Sequence, residues 1–271
     1  MVRHVAVIQG SSRGLGLAFS RHLLNNTRLH VVGTSRDPEK ARHAILKDGD
    51  KSLEKRLTTL ELDVLNEGTI SAAAESVKSS QGAECLRLLI NVSGILDKPE
   101  KSIMKLDADT LRRTFEINTF GHLLTFKHFL PLLPTKKEAK QDGSEDLAEG
   151  LLKPDLSVMA SMSARVGSIA DNKMGGWYSY RMSKAAVNQA VQTLNRELSS
   201  RSVGSSIALA LHPGTVLGTD LSSPIVDPNT KEKDGVHPPA KAAQLLLQAI
   251  GKMGIDDGGK FIDFAGKEIP W

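Results

Sequence analysis

Short, nearly unbroken apolar runs punctuate the chain, and each is followed by a longer stretch in which apolar residues return every three or four positions. The runs cover 5–9, 29–34, 57–63, 86–91, 155–161, 207–212 and 260–264. Val, Ile and Leu in series, without polar alternation, suit a strand buried on both faces. The helical patterns fall at 15–24, 38–47, 70–79, 109–132, 179–199 and 239–250. Strand and helix alternate to the end, so the pattern predicts a parallel sheet of about seven strands with helices on both faces, an α/β doubly wound fold. Two segments break the rhythm. Residues 134–154 are polar, charged and bounded by proline, and read as an inserted surface loop, partly disordered. Residues 217–238 hold several prolines and few apolar side chains, and read as a mobile excursion that would shape a substrate site. Neither a repeat nor a linker interrupts the pattern, which makes 1–271 a single domain.

Composition narrows the class. With 271 residues, 40% hydrophobic and 24% charged, the chain can bury a core without staples. A single cysteine, Cys85, permits no internal disulfide and suits a reducing, cytoplasmic setting. The longest apolar candidate for a membrane span, 115–133, is interrupted by Glu116, His122, Lys127 and His128, so no span is expected. The first strand pattern starts at Val2 and leaves no room for a signal peptide. A net charge of +4 is scattered along the chain. Its densest basic cluster, Lys136, Lys137 and Lys140, is mixed with Glu138, Asp142, Glu145 and Asp146 and has no interleaved aromatics, which argues against nucleic acid as a partner. A small anionic ligand remains compatible with the charge.

The first strand runs into Gly10, Ser11, Ser12, Arg13, Gly14, Leu15 and Gly16 before an apolar helix. Glycines there permit a tight turn and let backbone N–H groups approach a pyrophosphate at the helix N-terminus. A triphosphate loop is disfavoured because no Gly-Lys-Ser/Thr ending follows. The second strand ends at Thr34, Ser35 and Arg36 rather than at the acid that grips a ribose 2′-hydroxyl. A guanidinium at Arg36, with Arg13, fits a 2′-phosphate instead, which favours NADPH over NADH; the other reading leaves both arginines solvated and the cofactor NAD. Asp63, followed by Val64 at the end of the third strand, is placed to bond an adenine amino group or to cap the next helix.

Tyr180 and Lys184 lie four apart at the start of a long apolar-faced helix and so share a face. An ammonium beside a phenol favours the phenolate, drawing its pKa from about 10 toward neutrality, where it can exchange a proton with a carbonyl or alkoxide. Tyr178 has only Met182 at the equivalent position. His212 has no second histidine or carboxylate at metal spacing, so no metal is expected, and Cys85 reads as packing.

The glycine turn, Asp63-Val64, Asn91-Val92-Ser93-Gly94, Asn118, Tyr180 with Lys184, and His212-Pro213-Gly214-Thr215-Val216 follow one another in an order that resembles the short-chain dehydrogenase/reductase family over essentially the full length. Residues 163–169, 175–178 and 266–271 resemble its C-factor-like and sniffer-like carbonyl reductases. The resemblance implies a Rossmann-type fold and an NADPH (NADP+)-dependent oxidoreductase that reduces the carbonyl of a small aldehyde, ketone or quinone. By the same resemblance Asn91 and Gly94 would carry adenosine contacts, although Val92 and Ser93 stand where the family usually has asparagine and alanine. Asn118 would hold a water in a proton relay. Tyr180 would be the acid/base, and Lys184 would lower its pKa and bind the nicotinamide ribose. Pro213, Gly214, Thr215 and Val216 would receive the carboxamide. The family also expects a carbonyl-polarising serine past the fifth strand; its usual register falls on Ala164, so Ser163 is chosen, with Ser161 and Ser168 as alternatives. Relatives pair through helices matching 109–132 and 179–199, which makes a homodimer one expectation and a monomer another. The rival reading is an NADPH-binding regulatory or interaction protein with weak or no catalysis, kept open by Val92, Ser93, Ala164 and the charged insert.

Overall fold

The computed structural model describes residues 4–271 apart from 48, 84, 98, 135–145, 155, 201–204 and 228. Seven strands, β1 (Val5–Gln9), β2 (His30–Ser35), β3 (Leu57–Glu61), β4 (Leu86–Asn91), β5 (Ser157–Met162), β6 (Ser206–His212) and β9 (Phe261–Asp263), form one parallel sheet in the order β3-β2-β1-β4-β5-β6-β9. A separate two-residue parallel pair joins β7 (Thr215–Val216) to β8 (Val236–His237). The helices are α1 (Gly14–Asn26), α2 (Pro38–Leu46), α3 (Glu67–Gln81), α4 (Ala108–Phe115), α5 (Gly121–Phe129), α6 (Tyr178–Ser200) and α7 (Pro239–Lys252). Strand order reverses between β1 and β4, and in such sheets ligands bind beyond the carboxyl ends of the strands at that reversal.

Alternate residues of each strand supply two cores. Ile8, Ile90, Ala160 and Leu209 pack with Phe19 and Leu23 of α1 and Leu246 and Ile250 of α7. Val7, Leu89, Met159 and Ala210 face the other way, onto Ile70 of α3, Phe129 of α5 and Val191 of α6. A strand covered on both faces has few polar positions to spare, which is why these runs are mostly apolar in the sequence. Helix starts follow local chemistry: Asp37 accepts from the Lys40 N–H ahead of Pro38, and Asp107 accepts from the Thr110 N–H at 2.8 Å.

Beyond shifts of one or two residues at strand ends, such as β5 starting at Ser157 rather than 155, three stretches differ from the sequence pattern. The stretch 109–132 is not one regular helix: a π-helical turn, Glu116–Phe120, joins α4 to α5, and a 3-10 turn at Leu130–Leu132 ends it at Pro131. The extra residue in that turn sets Asn118 inward, where its amide bonds the Ile95 backbone in both directions, N–H to Oδ1 at 2.8 Å and Nδ2 to carbonyl at 2.9 Å. β3 stops at Glu61, short of 63, because the Asp63 N–H is taken by the Thr69 hydroxyl and a turn into α3 begins.

The third concerns the insert. Residues 135–145 and 155 lie outside the described residues, but 146–154 is not a free surface loop. Ala148 and Leu152 are buried in the α1/α7 core, Arg28 pairs with Glu149, and Arg87 donates to the carbonyls of Lys153 and Leu156. Burying two apolar side chains repays the ordering of this backbone in a way that its polar composition hides. The excursion at 217–238 is likewise folded in part, through β7–β8 and a turn in which Thr219 and Ser222 bond each other.

Candidate active site

A cavity of about 420 Å³ opens at the carboxyl ends of β1, β2, β4, β5 and β6, at the reversal of strand order. Its phosphate end is the glycine turn. A Cβ at Gly16 would lie 2.0 Å from the Gly10 carbonyl oxygen, so only glycine lets α1 start that close to the end of β1. Arg13 precedes the helix in extended backbone and makes no side-chain cap, which leaves the first N–H groups of α1 free for an anion. Ser12, Arg13, Gly14 and Leu15 all line the cavity, and Arg36 lines it from the end of β2. Arg13 is ion-paired with Asp220 across the opening. Asp63 and Val64 form the neighbouring wall. Asp63 also accepts from the Leu65 N–H at 3.0 Å, so it holds its own turn while lining the cavity; the helix cap itself is Asn66.

The reactive end is built by α6 and the two loops beside it. Tyr180 and Lys184 are buried on one face of α6, with the Lys184 Nζ 5.8 Å from the centre of the Tyr180 ring. Nζ donates to the Met162 carbonyl at 2.8 Å, at the end of β5. A Cβ at Gly167 would meet the Lys184 Cβ at 2.7 Å, so glycine brings the turn after β5 directly onto this helix. Asn118 closes the group: its Nδ2 also approaches the Ser183 hydroxyl at 3.2 Å, and the Gly94 Cα lies beside both its Oδ1 and the Lys184 Nζ.

Burial dominates the electrostatics here. Desolvation pushes the Tyr180 phenol above its ordinary value of 10 and pulls the Lys184 ammonium down to about 7. The expectation that Lys184 draws the phenol toward neutrality is therefore corrected: desolvation drives both groups toward their uncharged forms, and no opposing pull from the neighbouring ammonium offsets it at the phenol.

Of the serines past β5, only Ser163 reaches the cavity. Its hydroxyl donates to the Asn188 Oδ1 at 2.6 Å, turned toward α6 rather than into the open space. Ser161 is buried in the sheet, where its oxygen accepts from the Asn91 Nδ2 at 3.3 Å, and the Ser168 oxygen accepts from the Asp171 N–H at 3.1 Å. Asn91 therefore braces β4 from beneath and does not line the cavity. Gly94, Pro213 and Val216 do line it; Gly214 and Thr215 do not, since Gly214 turns against the Gly235 carbonyl and Thr215 pairs in β7.

Several lining residues carry no motif in the sequence. Gln9 ends β1, and its Oε1 accepts from the N–H groups of Val92 and Ser93 at 3.2 and 3.1 Å while its side chain also bonds the Ser93 hydroxyl. Its partner on the far side is His122, whose Nε2 meets the Ser93 carbonyl at 2.7 Å. The unusual Val92 and Ser93 are thus held by a clamp from two elements. Burial pulls the His122 pKa down to about 3. His212, expected to be a satisfied strand-end residue, accepts from the Arg165 N–H through Nδ1 at 3.3 Å; burial pulls it down to about 4. Among the described residues no group of three or more His, Cys, Asp or Glu could hold a metal, and no helix is long and apolar enough to cross a membrane.

The family model for short chain dehydrogenases matches residues 4–143. The chain belongs to the short-chain dehydrogenase family. Within it, the chain is 32% identical over 213 residues to a 1-hydroxy-2-glutathionyl-2-methyl-3-butene dehydrogenase of Rhodococcus sp. (strain AD45), covering 78% of each chain. Among solved structures it is similar to an NADPH-bound carbonyl reductase from chicken fatty liver, with 29% identity, 100% and 99% coverage and a TM-score of 0.79. It is similar too to the carbonyl reductase Sniffer of D. melanogaster, with 27% identity, full coverage of both chains and a TM-score of 0.78. The family makes this chain an oxidoreductase of the short-chain dehydrogenase/reductase type, and the parallel seven-stranded sheet is the family's architecture.

Proposed function

We propose that the protein is an NADPH-dependent carbonyl reductase acting on a small aldehyde, ketone or quinone. The observation that carries this reading is the single cavity that has an uncapped helix N-terminus with Arg13 and Arg36 at one end and buried Tyr180 with Lys184 at the other. The cradle fits a dinucleotide: a Cβ at Gly16 would fill the close approach, and two arginines stand where a 2′-phosphate needs charge. NADPH-bound relatives of the same fold support that choice over NADH.

When bound, the cofactor supplies the hydride. Tyr180 donates its proton to the carbonyl oxygen as charge develops there, a task for which a neutral, buried phenol is already in the right form. Lys184, fixed by the Met162 carbonyl, keeps its remaining N–H available to the ribose and to Tyr180. The Asn118 amide is committed to Ile95, so a relay water would be held by its main-chain carbonyl in the π-helical turn. Ser163 has given its one proton to Asn188, and polarisation of the substrate falls to Tyr180 unless that hydroxyl rotates. Exposed Phe120 of the π-helical turn, Leu123 of α5 and Met182 of α6 support pairing of two copies there.

The test is NADPH oxidation, followed by absorbance, against reactive dicarbonyls, quinones and aldehydes, with NADH, Tyr180→Phe and Ser163→Ala alongside. Turnover needing NADPH and lost in Tyr180→Phe is expected. Ser163→Ala should fall by much less than the roughly 10²-fold typical of a lost oxyanion donor. Tight NADPH binding without turnover on any carbonyl would leave a cofactor-binding regulatory protein, and full activity in Tyr180→Phe would remove the assigned acid.

A further inference from the structure

The segment after β7 crosses the mouth of the cavity from one wall to the other. A Cβ at Gly14, in the glycine turn, would sit 3.5 Å from the Thr219 methyl, and one at Gly94, on the opposite wall, would sit 3.6 Å from the Leu221 Cδ1. Between these contacts Asp220 is ion-paired with Arg13. Thr219, Asp220 and Leu221 all line the cavity, where the acids are only Asp220 and Asp63. Asp63 has its carboxylate tied to the Leu65 N–H on the adenine side. Asp220 is thus the one carboxylate set directly on a guanidinium that also faces the phosphate end.

We propose that Asp220 is a specificity-determining residue for the cofactor: its carboxylate competes with the 2′-phosphate for Arg13. The inference rests on the NADPH reading and adds to it a residue that opposes the same phosphate. Asp220 meets Arg13 through Nη1, and a phosphate that grips the Nη1–Nη2 edge as a bidentate pair needs that same nitrogen, so the 2′-phosphate gains its forked pair only as Asp220 leaves it. NAD+ lacks the 2′-phosphate, and its pyrophosphate is provided for by the free N–H groups at the start of α1, so it makes no such demand on Arg13. Asp220 therefore lowers affinity for the phosphorylated dinucleotide selectively and sets how far the protein prefers it. The side chains of Arg13 and Asp220 are 73% and 72% exposed, which limits the competition to that of a solvated pair, about two- to fivefold in affinity and smaller at high salt.

The experiment is calorimetric titration of the full chain with NADP+ and with NAD+, in wild type, Asp220→Asn, Arg13→Gln and the double variant, with melting curves to establish that each is folded. Asp220→Asn is expected to tighten NADP+ by about two- to fivefold and leave NAD+ unchanged. In the Arg13→Gln background the same substitution is expected to change NADP+ affinity by less than that, which is the coupling a competition at Arg13 requires. Equal tightening of NADP+ and NAD+, or an effect that persists without Arg13, would mean general repulsion of phosphates and would overturn the proposal. Unchanged or weaker NADP+ binding in Asp220→Asn would overturn it as well. A wild type that binds NAD+ but not NADP+ would take down the cofactor reading itself, an outcome distinct from any of these.

Discussion

Lys184 is buried at 2% exposure and carries an ammonium whose pKa burial lowers from 10.5 to about 7. Replacing it with methionine keeps an unbranched side chain shorter by one atom and removes the charge. Below pH 7 the folded protein holds that charge out of water, while the unfolded chain holds it in water. The difference in pKa corresponds to a cost of about 5 kcal/mol at about 1.36 kcal/mol per pH unit. The substitution also strips the Met162 carbonyl of its donor, which costs about 1–3 kcal/mol. Lys184→Met is therefore expected to be more stable than wild type by about 2–4 kcal/mol at pH 6.5, although it removes a group proposed to be essential. The sign reverses the usual effect of a core substitution, and the pH dependence identifies the cause. Between pH 7 and 10.5 the unfolded lysine binds a proton that the folded one has released, so wild-type stability rises with pH over that window and the variant's does not. By pH 9.5 the two should nearly coincide. Urea unfolding followed by the fluorescence of Trp177 and Trp271 measures both, at pH values below the range in which tyrosine ionises. A variant less stable than wild type at pH 6.5, or two proteins with parallel pH dependence, would refute the burial argument.

Two further outcomes follow from close contacts and buried imidazoles. Gly16→Ala places a Cβ 2.0 Å from the Gly10 carbonyl oxygen, so the glycine turn must move into the cavity; a loss of about 1–3 kcal/mol in stability and at least tenfold in NADP+ affinity is expected. Calorimetric binding within twofold of wild type would contradict it. His122 ordinarily titrates at 6.5 but is held down to about 3, so the unfolded chain binds a proton first and stability falls as pH drops below 6.5. In His122→Gln, whose amide can still donate to the Ser93 carbonyl, the loss between pH 7.5 and 5 should shrink by about 2 kcal/mol, and an undiminished loss in chemical denaturation would rule out this imidazole as its source.

The alternation of strands and helices was legible because burial on both faces leaves a local mark: every residue of β1 and of β4 is buried, and the sequence is apolar there apart from Gln9, Arg87 and Asn91. The glycine turn and the Tyr180–Lys184 pair were legible for a similar reason, since each is a contiguous motif whose spacing along one turn or one helix face sets its geometry. What remained hidden depends on partners distant in the chain. The hydroxyl of Ser163 is directed by Asn188, 25 positions away, and no pattern around residue 163 states which way it points. Gln9 and His122, which together hold the Val92–Ser93 turn, come from β1 and α5 and carry no family motif. Residues 146–154 look like solvent-exposed loop by composition, yet two of their side chains complete the core that α1 and α7 enclose.

The sequence by itself therefore determined the α/β class, the phosphate-facing turn and the reacting phenol with its lysine, because these depend on periodicity and on neighbours within a few residues. The charge states of Tyr180 and Lys184, the occupied hydroxyl of Ser163 and the pairing of Asp220 with Arg13 were decided only by the tertiary structure. Desolvation and hydrogen-bond partnership depend on which distant segments exclude water from a group and which atoms they bring to it, and neither quantity is a property of local sequence.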